Sequence, residues 1–210
     1  MIAGFIFFCK TARQHIPLQA SANTHTKQLH MQNGKINIRP VTEADAAALV
    51  AVYAPYVIHT AVTFEYDTPT EEEFRRRIAA ISSRFPYLVA ENDEQKILGY
   101  AYANTFKDRP AYQWAVETTV YVDATYRRNG VGKRLYDALE EGLRRRGIRN
   151  MNACIAFAAH PDPFLTNDSV RFHERMGFEK VAHFHTCGKK FGRWYDMIWM
   201  EKRLTIPDRQ

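Results

Sequence analysis

The chain has 210 residues, 46% hydrophobic and 25% charged, with a formal net charge of +6. These are ordinary values for one compact globular domain with a substantial core. The basic residues are dispersed, densest at 75–77, 127–128 and 144–146 and without a long basic tail, so nucleic acid is not the expected partner.

The apolar run at 2–9 falls short of the roughly 20 residues that span a bilayer, and no basic residue precedes it as in a signal peptide. Residues 11–34 are polar and aperiodic, so 1–34 is expected to be a poorly ordered extension, with Met31 a candidate start. Cys9, Cys154 and Cys187 form no C-x-x-C pair. An odd, widely spaced set argues against a disulfide framework and for a reducing cytoplasm.

From residue 36 the pattern becomes regular. Residues 36–39 alternate as a strand does, and Thr42-Glu43-Ala44-Asp45 resembles a capping box opening a helix with Leu49, Val52, Tyr53 and Tyr56 on one face. Residues 60–66 read as a loop with exposed aromatics. Thr70-Glu71-Glu72-Glu73 starts a second helix, with acids where the positive end of the dipole favours them. Strands are expected at 87–91, 97–104 and 114–123, the first two joined as a hairpin through 92–95. An amphipathic helix follows, with Val131, Leu135, Leu139 and Leu143 spaced by four and Gly147 at its end. A strand at 151–157, a Pro-containing loop at 158–166, a short helix at 169–176 and strands near 178–185 and 194–203 complete the pattern. The expectation is one α/β (α+β) domain over 35–204, with a mixed, mostly antiparallel sheet flanked by helices and one α crossover after the central strand, and a tail at 205–210.

The sharpest motif is Arg127-Arg128-Asn129-Gly130-Val131-Gly132, set between a strand and a helix. Glycine permits unusual backbone angles and close approach, so successive N–H groups can line one concavity at the positive end of the helix dipole. A pyrophosphate fits such a place, with Arg127, Arg128 and Lys133 adding charge.

Here a family resemblance enters. Strand, R-x-x-G-x-G/A and helix resemble the signature of the GNAT acetyltransferases, and Asn167-Asp168-Ser169-Val170-Arg171-Phe172-His173-Glu174-Arg175-Met176-Gly177-Phe178 is similar to the family's second box. Ala115-Val116-Glu117-Thr118-Thr119-Val120-Tyr121-Val122, Arg109-Pro110-Ala111-Tyr112, Val62-Thr63-Phe64-Glu65 and Lys190-Phe191-Gly192-Arg193-Trp194-Tyr195-Asp196 resemble elements of phosphinothricin-type acetyltransferases. The resemblance covers about residues 36–203. The longer loop at 158–166 and the extension depart from the pattern.

The resemblance implies the GNAT fold, acetyl-CoA as cosubstrate with no metal, a small amine as substrate, and a homodimer. It implies acetylation of an amino-acid-like compound of the phosphinothricin, methionine sulfoximine or methionine sulfone type. Alternatives are a polyamine or protein N-terminus as acceptor, or a CoA-binding module without turnover. An amine must be neutral to attack a thioester, and a carboxylate in an apolar strand has the raised pKa suited to taking its proton, which makes Glu117 the candidate base. The resemblance places backbone groups of Val120, Tyr121 and Val122 against the pantetheine arm, and Arg127, Arg128, Asn129, Gly130, Val131, Gly132 and Lys133 around the pyrophosphate. It gives Asn167 a cofactor contact, and His173 either the role of general acid or a cofactor contact. A carboxylate on the substrate would suit Arg109, with Phe64, Tyr112 and Trp194 lining the pocket. His183, His185 and Cys187 alternate and would share a strand face, but no fourth ligand is evident and no metal is assigned.

Overall fold

The structure, a computed structural model, describes residues 35–205. The expected extension at 1–34, and residues 206–210 of the expected tail, lie outside the described residues. The elements in chain order are β1 (Asn37–Pro40), α1 (Ala46–His59), α2 (Glu71–Ser82), β2 (Tyr87–Glu91), β3 (Ile97–Thr105), β4 (Ala115–Val122), α3 (Val131–Arg145), β5 (Asn150–Phe157), α4 (Asp168–Arg175), β6 (Glu179–Lys190) and β7 (Arg193–Arg203).

The helix starts follow from their caps. Thr42 N–H donates to Asp45 Oδ2 at 2.7 Å, holding a 3-10 turn that leads into α1. Thr70 Oγ1 accepts the Glu73 N–H at 3.2 Å at the start of α2. Such caps are each worth about 1 kcal/mol. In α3 the four-residue spacing buries Leu135, Leu139 and Leu143 completely, each contributing about 1.5–3 kcal/mol. Gly147, at φ +78, ends the run.

One seven-stranded sheet has the order β1-β2-β3-β4-β5-β7-β6. All neighbours are antiparallel except β4 and β5, which α3 connects as a crossover. Val116, Met151, Ala153, Ile198 and Met200 meet α3 on one face of the sheet. Val89 and Tyr100 meet α1 and α2 on the other. The α/β architecture is therefore the expected one.

Three details differ from expectation. The last strand pair is longer, because β6 runs to Lys190 through a bulge between Phe184 and Gly188, with Thr186 at φ +48. A period-two reading cannot see such an insertion. Phe64 is not an exposed loop aromatic but half-buried, its ring lying where a Cβ on Gly188 would come within 2.2 Å. The 158–166 loop is pinned by Asp162, whose Oδ1 accepts the N–H groups of Phe164 and Leu165 and whose Oδ2 accepts from Tyr195 and Arg193.

Candidate active site

The site begins where β4 and β5 separate. They pair only from Ala115↔Asn150 to Glu117↔Asn152, after which both continue without pairing to each other. Side chains cover the fork: Thr118 Oγ1 donates to Asn152 O at 3.0 Å, and Asn152 Nδ2 donates to Val116 O at 3.2 Å. Beyond it β4 keeps β3 on one side through Val122, while among the described residues no strand pairs with its other edge. An extended chain of amide-bearing ligand can add there as a strand would.

A cavity of about 420 Å³ opens at this fork, lined among others by Phe64, Glu117, Val120, Tyr121, Cys154 and His173. Glu117 is half-buried in its wall. Burial pushes its carboxyl above the ordinary range, and the positive charge of Lys107 pulls it partly back. Among the described residues it has no hydrogen-bond or ion-pair partner.

β4 leads through a 3-10 turn into 127–132. Arg128 sits at φ +65 and Gly130 at φ +78, so the loop curls before α3 begins at Val131. The first helical bond runs from Arg134 N–H to Gly130 O, which leaves the amides of Val131, Gly132 and Lys133 without a helical acceptor. A Cβ on Gly132 would lie 3.2 Å from the Phe172 ring, so glycine lets α4 close against this helix start. Orphan amides, a dipole's positive end and exposed Arg127 and Arg128 suit a pyrophosphate. The open β4 edge suits the arm of the same ligand, so the residues fit CoA.

His173, on α4, is 4% exposed among the rings of Tyr136, Phe172 and Phe178. Its Nδ1 lies 2.8 Å from Ser169 O, which can only accept, so Nδ1 carries the proton. Nε2 then accepts from the Tyr136 hydroxyl at 2.9 Å. Burial lowers the imidazole pKa to about 4, so it is neutral at pH 7.

The profile of the acetyltransferase (GNAT) domain family matches residues 38–199. The chain belongs to the GNAT acetyltransferase family. It is 33% identical over 172 residues to the phosphinothricin N-acetyltransferase of Streptomyces viridochromogenes, covering 82% of this chain and 90% of that protein. It is 30% identical to the L-methionine sulfoximine/L-methionine sulfone acetyltransferase of Salmonella typhimurium, covering 80% and 95%. The crystal structure of a GNAT phosphinothricin acetyltransferase from Sinorhizobium meliloti in complex with acetyl-CoA superposes with a TM-score of 0.73 at 32% identity, covering 80% and 88%. No helix among the described residues is long and apolar enough to cross a membrane.

Within this GNAT site the residues singled out from sequence fall into three groups. Glu117, Val120, Tyr121, Phe64 and His173 border the cavity together. Val122, Arg127, Arg128, Asn129, Gly130, Gly132 and Lys133 form the adjoining strand end, loop and helix start. Some of these groups are already engaged. Val122 O accepts from the Tyr56 hydroxyl, Arg127 lies over the Tyr56 ring at 5.1 Å, and Lys133 pairs with Asp137 at 2.6 Å. Val131 is 1% exposed in the core, so only its backbone is on offer. Asn167 spends its amide on the backbone of Ala158, holding the end of β5.

The third group is not brought to the cavity. Arg109 is exposed, Tyr112 is 44% exposed against Phe106, and Trp194 is 62% exposed. Conversely, sequence reasoning missed Lys107, whose charge reaches Glu117, and Arg77, which lines the cavity but is paired with Glu65 at 2.8 Å. It also missed Tyr136, an apolar-face position on α3 that carries a hydroxyl to His173. A tyrosine at a core position of an amphipathic helix was the available signal.

Proposed function

We propose that this GNAT enzyme transfers the acetyl group of acetyl-CoA to the amine of a small amino-acid-like substrate of the phosphinothricin, methionine sulfoximine or methionine sulfone type, a detoxifying N-acetylation. The observation that carries it is Glu117: a half-buried carboxyl with a raised pKa and no partner among the described residues, facing a cavity on the strand that leads into the 127–132 loop. The substrate class is supported by the names of the relatives. It is further supported by the cavity's charge: of its two lining carboxyls Glu65 is paired with Arg77, which leaves Glu117 alone, a poor match for the several cations of a polyamine.

When bound, acetyl-CoA supplies the acetyl thioester that the amine attacks. The 127–132 loop and the amides of Val131, Gly132 and Lys133 hold its phosphates. The open edge of β4 at Val120, Tyr121 and Val122 holds the arm and offers N–H donors to the negative charge that develops on the acetyl oxygen. Glu117 takes the proton of the substrate ammonium, directly or through water, and its raised pKa suits it to a base working near neutrality. Lys107, two residues beyond β3, is the cation whose charge reaches Glu117 and which would attract the substrate carboxylate, with the exposed Arg109 two residues further on.

His173 belongs to the cofactor side of the cavity as a neutral, doubly hydrogen-bonded ring rather than as a general acid. A departing thiolate tolerates this, because thiols ionise near pH 8.5 and need no strong acid. Cytoplasmic location and a homodimer belong to the same proposal. The exposed Tyr112 and Trp194 rings fit a surface covered by a second copy, and light scattering of the purified chain tests the dimer.

The test is product mass after incubating the enzyme with acetyl-CoA and separate amines: phosphinothricin, methionine sulfoximine, methionine sulfone, spermidine and a short peptide. Acetylation of the amino-acid analogues is expected. Acetylation of spermidine or peptide alone would overturn the substrate class. Acetyl-CoA binding with no product from any amine would favour a module without turnover.

A further inference from the structure

We propose that His183, His185 and Asp196 form a binding site for a divalent transition-metal ion of the zinc class, apart from the acetyl-transfer centre. The candidate ligand atoms of these three residues all lie within 4.8 Å of one another. Two imidazoles and a carboxylate are the donor set of many three-ligand sites that leave a fourth tetrahedral position to solvent.

The fold places these groups by register rather than by chance proximity on a surface. His183 and His185 are two apart on β6 and so share a face, and their rings stack with centroids 4.1 Å apart. Asp196 comes from the neighbouring strand β7, whose Ile198 is the register partner of His183. His183 Nε2 lies 2.8 Å from Asp196 Oδ2. Two ligand atoms each about 2.05 Å from a tetrahedral zinc ion stand about 3.3 Å apart, so this pair needs to open by only about half an ångström.

The ligands are also oriented by their surroundings. Asp196 Oδ1 accepts the Thr186 N–H at 2.8 Å, which turns Oδ2 towards the histidines. Phe157 meets the His183 ring edge-on at 5.1 Å. Hydrogen bonds that fix a ligating carboxylate are a regular part of metal sites. Thr186 makes its bond from φ +48, a left-handed conformation that a β-branched residue rarely adopts and that marks strain held by its surroundings.

That same bulge corrects the pattern of alternating His183, His185 and Cys187. The left-handed Thr186 takes Cys187 out of the histidine face, and Cys187 borders the proposed acetyl-transfer cavity instead. Asp196 stands in its place. His185 is exposed, so an ion reaches the site from solvent without the core opening.

The test is a cobalt titration of the chelator-stripped full chain, read by ligand-field absorption, with zinc as competitor. The wild type is expected to take one Co2+ per chain with tetrahedral-type bands, to release it to Zn2+, and to show a Tm raised by Zn2+. His185→Gln removes an exposed ligand, so its fold is expected to persist. It should weaken binding by at least the roughly 10–100-fold that follows loss of a group merely bonded to a metal ligand. Asp196→Asn should do likewise. Absence of the bands at micromolar protein and metal would overturn the site. So would binding that survives unchanged in His185→Gln and His183→Gln, which would place the ion elsewhere, for instance on His15, His25 or His30. Acetyl-CoA affinity serves as the folding check, since none of the three residues lies in the cofactor loop.

Discussion

The two halves of the proposed acetyl-transfer site are assembled over different ranges of the chain. The cofactor half is six consecutive residues, 127–132, together with the strand before them and the helix after. The acceptor half joins segments far apart: Lys190 Nζ donates to Thr63 O at 2.8 Å across 127 positions, and Tyr66 OH donates to Lys189 O at 2.7 Å across 123. In the first half the backbone itself would supply the binding groups, and geometry depends on local angles. In the second, side chains from the 60–66 loop, the β6–β7 hairpin and the end of β3 must be held against one another. Lys190 shows the cost of that, since at 3% exposure its ammonium is buried with one carbonyl partner and burial lowers its pKa. The cofactor half should therefore respond to local strain, and the acceptor half to distant packing.

The largest expected effect lies in the buried network behind the cofactor half. The folded His173 imidazole has a pKa of about 4 against an ordinary 6.5. Below pH 6.5 the unfolded chain takes up a proton that the folded chain refuses. The stability contributed by keeping His173 neutral is thus complete above pH 6.5 and is lost as pH falls towards 4, by about 3 kcal/mol. Denaturant melts at pH 4 and pH 7 should show this slope in the wild type and lose much of it in His173→Gln. Equal slopes would mean that the buried imidazole is not what the acid attacks.

Gly188→Ala separates the halves. The new Cβ would meet the Phe64 ring at 2.2 Å, and such overpacking costs about 1–3 kcal/mol. The acceptor KM should rise about tenfold or more while acetyl-CoA affinity by calorimetry stays unchanged. A change in acetyl-CoA affinity instead would show that the halves are coupled. Gly130→Ala is the converse. A Cβ there meets nothing within 4 Å, but the φ of +78 costs an L-residue about 1–2 kcal/mol. Acetyl-CoA should bind roughly tenfold more weakly, with the acceptor KM unaltered.

The smallest effect is electrostatic. The charge of Lys107 lowers the pKa of Glu117, so Lys107→Met should move the acid limb of kcat/KM to higher pH. A shift to lower pH would contradict that arrangement.

The same contrast explains what was legible in the sequence. Gly130, Gly132 and the arginines mark the curled loop before the helix because the groups proposed to hold the phosphates are consecutive along the backbone. Leu135, Leu139 and Leu143 announce the helix that supports it. Glu117 was legible as a lone carboxylate in an apolar strand. The acceptor wall was not, because nothing local to Phe64 reports Gly188, and nothing local to Lys107 reports Glu117. Arg109, Tyr112 and Trp194 are residue types suited to binding, yet their loop and hairpin turn them to solvent in the single chain. The bulge at Thr186 was hidden for a different reason: a two-residue period fits β6 on both sides of it, and only the pairing with β7 reveals the extra residues.

The measurement closest to the central claim is the pH dependence of kcat/KM for release of CoA thiol, for wild type and Glu117→Gln, with acetyl-CoA affinity measured in parallel. The wild type should show an acid limb above the ordinary glutamate range. The variant should keep its acetyl-CoA affinity and lose about 10²–10⁴-fold in rate, along with that limb. A variant that retains both the rate and the limb would show that another group takes the proton, and Glu117 would then be only part of the cavity wall.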